Sequence, residues 1–179
     1  MQIAATGFDG LFTVDTTPSR DERGYFHRLH DTEAFAVARI DFTPRQGGLS
    51  HNLKRGTLRG LHFQKAPVRQ AKLVRCLRGA IFDVVVDIRP ASATRGHWFS
   101  VELSADNNRA LFVPHGFAHG FLTLTDEADV LYELSEGEQP GCTGGLRWND
   151  PALGIAWPFA PVVINQRDTA WPDYTGASS

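Results

Sequence analysis

The chain has 179 residues, enough for about one domain with a buried core. Eighteen Lys and Arg against twenty Asp and Glu leave a net charge of −2, so nothing electrostatic argues for DNA or RNA as a partner. The two cysteines form no C-x-x-C pair and no zinc spacing, and no apolar run approaches the length that spans a bilayer. The first residues lack a basic start followed by a long apolar stretch, so the expectation is a soluble cytoplasmic protein without membrane contact.

From the N-terminus, short apolar runs predict strands at Leu11–Val14 and Gly24–Arg28. Thr32–Arg39 has helical spacing through Ala34, Phe35 and Ala38, with Thr32 as the expected cap. Strands follow at Gly47–Asn52 and Thr57–Gln64. Lys72–Arg78 and Ala80–Ile88 flank Gly79 and predict a hairpin, with Cys76 as a small core residue. Further strands are predicted at His97–Leu103, Ala110–Val113, Ala118–Thr125 and Asp129–Leu134. The tail beyond Asn149 is rich in proline and tryptophan and predicts irregular chain with short helical turns. Seventeen glycines and ten prolines punctuating these runs argue for an all-β, antiparallel architecture in a single domain over residues 1–179.

Several side chains carry proton chemistry. His62 lies inside a predicted strand, and an imidazole of ordinary pKa is suited to act as a general base near neutral pH. A carboxylate on its far ring nitrogen would fix the tautomer. Asp168 is one candidate, and Asp83 and Asp87 compete with it. Lys72 on an inward-facing strand position calls for a negative partner such as an enolate oxygen or a phosphate. Tyr132 could donate a proton from the face opposite the base.

Strict alternation puts His62 and Arg59 on opposite faces of their strand, so sharing one site requires a bulge at Gly60. In Lys72–Arg78 both faces mix charge and apolar bulk, and parity does not say which is inside. Lys54, Arg55, Arg59, Lys65, Arg69, Lys72, Arg75 and Arg78 cluster near His62 in sequence. They fit a small anion better than a polymer, with most of them forming a solvated basic edge.

Pro114-x-Gly116-x-x-His119 is similar to the second metal motif of cupin barrels. The first such motif needs His-x-His, and Gln64 stands at its second histidine. No metal is expected, and His119 reads instead as a polar pocket wall.

Taken together, several segments resemble the dTDP-4-dehydrorhamnose 3,5-epimerase family over most of the chain. They are Asp21–Phe26, Gly56–Gln64, Lys72–Arg75, Phe82–Val84, Val86–Arg89, Pro114–Phe121 and Trp148–Pro151. The resemblance implies a cofactor-independent, cupin-like jelly-roll barrel with a few short peripheral helices, forming a homodimer with strands exchanged at the interface. It implies a nucleotide-linked 4-keto-6-deoxyhexose as substrate. It makes His62 the base paired with Asp168, Tyr132 the acid and Lys72 the enolate stabiliser. Arg23, Phe26, Gln46, Arg59 and His119 would contact the substrate.

Three segments depart from the family pattern. Ser135–Pro140 has no aromatic where the family carries one that stacks on thymine, Arg28 stands at a usual glutamate, and Gly48 at a usual asparagine.

Overall fold

The computed structural model describes residues 1–176; positions 177–179 of the expected domain lie outside the described residues. The elements run β1 (Gln2–Ala5), β2 (Phe12–Asp15), β3 (Ser19–Asp21), β4 (Gly24–Phe26), α1 (Thr32–Val37), β5 (Gln46–Asn52) and β6 (Thr57–Gln64). They continue with β7 (Lys72–Arg78), β8 (Ala80–Asp87), β9 (Trp98–Ser104), β10 (Arg109–Val113), β11 (Phe117–Thr123) and β12 (Ala128–Leu134). The tail adds β13 (Thr143–Gly145), β14 (Val163–Ile164) and α2 (Gln166–Thr169).

One sheet has the order β1-β2-β10-β7-β12-β5, and the second β13-β6-β11-β8-β9 with β14 beside β6. From β5 to β12 the chain passes repeatedly from one sheet to the other, as in a jelly roll. The expected all-β, cupin-like architecture is therefore present.

The predicted hairpin across Gly79 is not. β7 pairs with β10 and β12, whereas β8 pairs with β9 and β11 in the facing sheet. Gly79 marks a corner between sheets, with φ +72, and a Cβ there would lie 2.2 Å from Thr125 Oγ1. A tight glycine turn serves a hairpin and a sheet-switching corner equally well. Only the partners of the two arms distinguish them.

Parity on β7 resolves once both sheets are in place. Val74 and Cys76 face the core between the sheets, with Ile81, Val85, Leu111, Phe121 and Val130. Leu73 faces outward against Phe35, Ile40, Phe42 and Phe112. Six residues make α1 too short to persist by itself. Burial of Phe35 holds it, worth on the order of 2 kcal/mol. Its N-cap is Asp31 rather than Thr32: Asp31 Oδ1 accepts from the backbone N–H groups of Glu33 and Ala34, each at 3.1 Å. Asp31 also takes Arg28 at 2.8 Å, so Arg28 serves this helix terminus.

Arg75 corrects the reading of the basic cluster. It lies on the outward face of β7 and is buried, donating to Thr16 Oγ1, Asn108 O and Leu29 O. It ties the segment before α1 to the sheet and does not belong to a solvated edge.

The bulge needed at Gly60 is present. His119 pairs with His62 and Phe121 with Arg59, so Gly60 and Leu61 together oppose the single residue Gly120. The extra residue rotates Arg59 onto the face that carries His62. Gly60 has φ +135, and a Cβ would fall 2.5 Å from Gly120 Cα. Gly60→Ala is expected to cost about 3 kcal/mol in chemical denaturation, from the positive φ and the backbone clash together.

Candidate active site

At one end of the space between the sheets lies a cavity of about 310 Å³ lined by Gln46, Gly48, Ser50, Arg59, His62, Gln64, Gln70, Lys72, His119, Tyr132, Glu138, Thr143 and Arg167, among others. A larger groove of about 1000 Å³ runs beside it past Lys65, Arg69, Arg89, His115 and Trp171. It contains none of His62, Lys72, His119 or Tyr132, so the chemistry converges in the smaller cavity.

The tail decides which carboxylate serves His62. β14 runs parallel to β6, matching Val163 with Thr57 and Ile164 with Leu58. The chain then turns into α2, where Asn165 Oδ1 accepts the Asp168 N–H at 2.7 Å. This delivers Asp168, fully buried, to the bulge. Its Oδ1 lies 2.7 Å from His62 Nε2 and accepts from Trp171 Nε1 at 3.2 Å, while its Oδ2 accepts from the Gly60 N–H at 3.1 Å. Burial alone would raise the carboxyl pKa. The bond and charge of His62, with those from Gly60 and Trp171, outweigh it and hold Asp168 below the usual carboxylate range.

An ionised Asp168 assigns the proton of neutral His62 to Nε2, which leaves the Nδ1 lone pair for a substrate hydrogen. Neither competitor reaches His62. Asp83 Oδ1 pairs with His119 Nε2 at 2.8 Å, and Asp87 is taken by Arg89, Ser92 and Thr94. Asp168→Asn leaves one carbonyl oxygen for three donors and removes the charge that supports an imidazolium. We expect kcat to fall about 10³-fold in steady-state assays, with the fold retained by circular dichroism.

His119 stands directly across from His62 in the β6–β11 ladder, and its ring meets the Tyr132 ring edge-on with centroids 6.0 Å apart. Tyr132 and Lys72 come from the facing sheet, where Leu134, two residues after Tyr132, pairs with Lys72. Burial, reinforced by the charge of Asp83 and only partly offset by Arg59, holds the Tyr132 phenol far above its ordinary range. It remains protonated and able to donate. Burial also pulls Lys72 down from 10.5 to about 8, against the opposing charges of Glu138 and Asp83.

The cavity thus presents an imidazole backed by a carboxylate on one wall and a phenol beside an ammonium on the other. That arrangement can remove a proton from carbon, stabilise the resulting oxyanion and return a proton from the other side.

A model of the dTDP-4-dehydrorhamnose 3,5-epimerase family matches residues 5–175. The chain belongs to that family. It is 39% identical over 176 residues to the dTDP-4-dehydrorhamnose 3,5-epimerase of Salmonella typhimurium, covering 96% of this chain and 94% of that one. The crystal structure of the Bacillus anthracis enzyme with TDP and PPi bound superposes with a TM-score of 0.93 at 36% identity, covering 97% of this chain and 99% of that one. A dTDP-4-dehydrorhamnose 3-epimerase from Streptomyces niveus is 37% identical over 170 residues, 94% of this chain and 81% of its own. The chain is an isomerase.

Of the side chains expected in the epimerase site, Gln46, Arg59, His62, Lys72, His119 and Tyr132 line the cavity, and Asp168 lies behind His62. Arg23 and Phe26 do not reach it. They sit on the β3–β4 hairpin, where Arg23 is bonded to Asp21 and its side chain is 83% exposed, and Phe26 is 69% exposed. Gly48 lies opposite Tyr132 in the β5–β12 ladder and widens the cavity wall.

Sequence reasoning missed Gln70, Glu138, Thr143 and Arg167 as lining residues. They flank the strands in loops and short elements whose direction no periodicity reports. It also missed Trp171, which lies two residues beyond the end of α2, as a donor to Asp168.

No helix among the described residues is long and apolar enough to cross a membrane.

A requirement for the Lys72 ammonium would show in the pH dependence of activity. In the empty site the ammonium persists below about pH 8 and is lost above, so kcat/KM, which reports the free enzyme, is expected to decline as pH rises through about 8. An ordinary lysine would place that decline near 10.5. A pH–rate profile of the native enzyme and of Lys72→Gln, which should lack this limb, checks the assignment.

Proposed function

We propose that the chain carries out its family's 3,5-epimerisation on a dTDP-linked 4-keto-6-deoxyhexose with the following division of labour. The C4 ketone acidifies the hydrogens on C3 and C5. His62 Nδ1 removes one of them, Asp168 supports the imidazolium, and the Lys72 ammonium holds the C4 enolate oxygen. Tyr132 then protonates the opposite face of the planar enolate, inverting the centre. Each proton transfer of this kind is worth about 10²–10⁴ in rate. Arg59, Gln46 and His119 hold the sugar nucleotide. The observation that carries the reading is the seating of His62 and Tyr132 on facing sheets around one cavity.

Incubation with dTDP-4-keto-6-deoxyglucose in deuterated water, followed by NMR, tests it. Deuterium at both C3 and C5 is the expected result. The absence of exchange at either carbon overturns the reading. Label at one carbon alone favours inversion of a single centre, a reading supported by the similarity to the Streptomyces niveus 3-epimerase and by the lack of an aromatic in Ser135–Pro140.

We also propose that the working form is a homodimer. β5, which lines the cavity, is the outer strand of its sheet and exposes Leu49, while the β3–β4 hairpin of the same chain exposes Tyr25 and Phe26. A hairpin of two three-residue strands is marginal by itself. Its docking on the β5 edge of a second copy would cover both surfaces and bring Arg23 and Phe26 to the cavity. Sedimentation equilibrium should give twice the chain mass. A monomer at micromolar concentration with full activity refutes it.

A further inference from the structure

We propose that Glu138 determines substrate specificity, accepting a hydrogen bond from an O–H or N–H donor of the bound sugar nucleotide. Among the described residues lining the cavity it is the one carboxylate, set among Arg59, Lys72, Arg167, His62 and His119. Phosphate oxygens repel a carboxylate, so with a sugar nucleotide in the cavity Glu138 is favourably placed where it faces a cation or a ligand donor.

The segment that carries Glu138 is pinned on both sides. Ser135 Oγ accepts the Ala71 N–H at 2.8 Å, and Gln70 Nε2 donates to Glu136 O at 2.6 Å. Arg45 pairs with Glu136 at 3.2 Å, and beyond Glu138 the Cys142 N–H returns to Gln139 O at 3.1 Å. These anchors present Glu138 to the cavity as part of its wall. In the empty site its charge acts on buried Lys72. In the complex the substrate's C4 carbonyl oxygen takes Lys72 as soon as it binds, and the carboxylate is then available to the ligand's donors. The donor is either a hydroxyl of the sugar or an N–H or O–H of the nucleoside. Both make the same charge-assisted bond.

The inference rests on the epimerase reading, and the test separates the two. Wild type, Glu138→Gln and Glu138→Ala are compared for kcat and KM with the 4-keto sugar nucleotide at pH 6.5, and for Kd of dTDP alone by calorimetry. Thermal midpoints verify that the variants fold, and the isosteric Gln keeps the segment's shape. Loss of a bond to a charged acceptor should raise KM roughly 10- to 100-fold in Glu138→Ala, less in Glu138→Gln, with kcat within about twofold.

A parallel rise in the Kd of dTDP assigns the donor to the nucleoside, and a rise confined to the full substrate assigns it to the sugar. KM and Kd both unchanged within about twofold overturn the proposal. So does tighter binding of dTDP by Glu138→Gln, the sign expected if the carboxylate faced phosphate. Inactivity of the wild type would instead remove the epimerase reading, while the dTDP measurement would still report on Glu138.

Discussion

His62→Gln should abolish both inversion and hydrogen exchange, with a loss of about 10³-fold or more in kcat. The glutamine amide nitrogen falls near the place of His62 Nε2, so it can still donate to Asp168, which is fully buried and would otherwise be left with an unmatched charge. What disappears is the lone pair on the ring's other nitrogen, the base. Deuterium incorporation at C3 and C5, followed by NMR over hours in deuterated water, is the measurement. Exchange persisting near the wild-type rate would mean that another group removes the proton. His119 would be the first to suspect, since it is directly across the ladder and also hydrogen-bonded to a buried aspartate.

Tyr132→Phe should separate two events that His62→Gln abolishes together. Removing the phenol leaves the base, its carboxylate and Lys72 in place. The substrate should therefore continue to exchange hydrogen on the side of His62, while inversion falls about 10²–10³-fold. Deuterium should accumulate in unepimerised sugar, an outcome that a merely structural role for Tyr132 would not give. The ring remains to pack against His119, so the thermal midpoint should move little. If exchange and inversion fall together by the same factor, Tyr132 is not the acid for the opposite face.

The strands from Gly47 to Leu134 were legible because side-chain alternation and glycine punctuation are local signals, and the structure reproduces them to within a residue or two. The β1 and β3 strands were not. Gln2–Ala5 and Ser19–Asp21 are largely exposed and carry little alternation, so their strand character comes from the partner they meet. The helix at Thr32 was legible from its apolar spacing. Its cap was misread by one position because Asp31 and Thr32 are both good caps, and only the backbone turning in at Asp31 chooses between them.

The candidate site divides along the same line. That His62, Lys72, His119 and Tyr132 sit on strands follows from periodicity, and their proton chemistry follows from residue type. Their convergence does not. Arg59 joins His62 through a bulge whose existence depends on how β6 meets β11 at Gly60 and Gly120. Arg75 looked like a neighbour of the basic group and instead faces the opposite side of β7.

The chain by itself determined an antiparallel β protein, the side chains able to move protons and the family it resembles, because those depend on residue identity and on spacing within one strand. Tertiary structure decided that Asp168, 106 positions away, serves His62 in preference to Asp83 or Asp87. It also decided that the arms around Gly79 part into facing sheets. Both outcomes depend on which distant strands pair, and in what register. Pairing energy is shared between segments far apart in the chain, so no local window contains it.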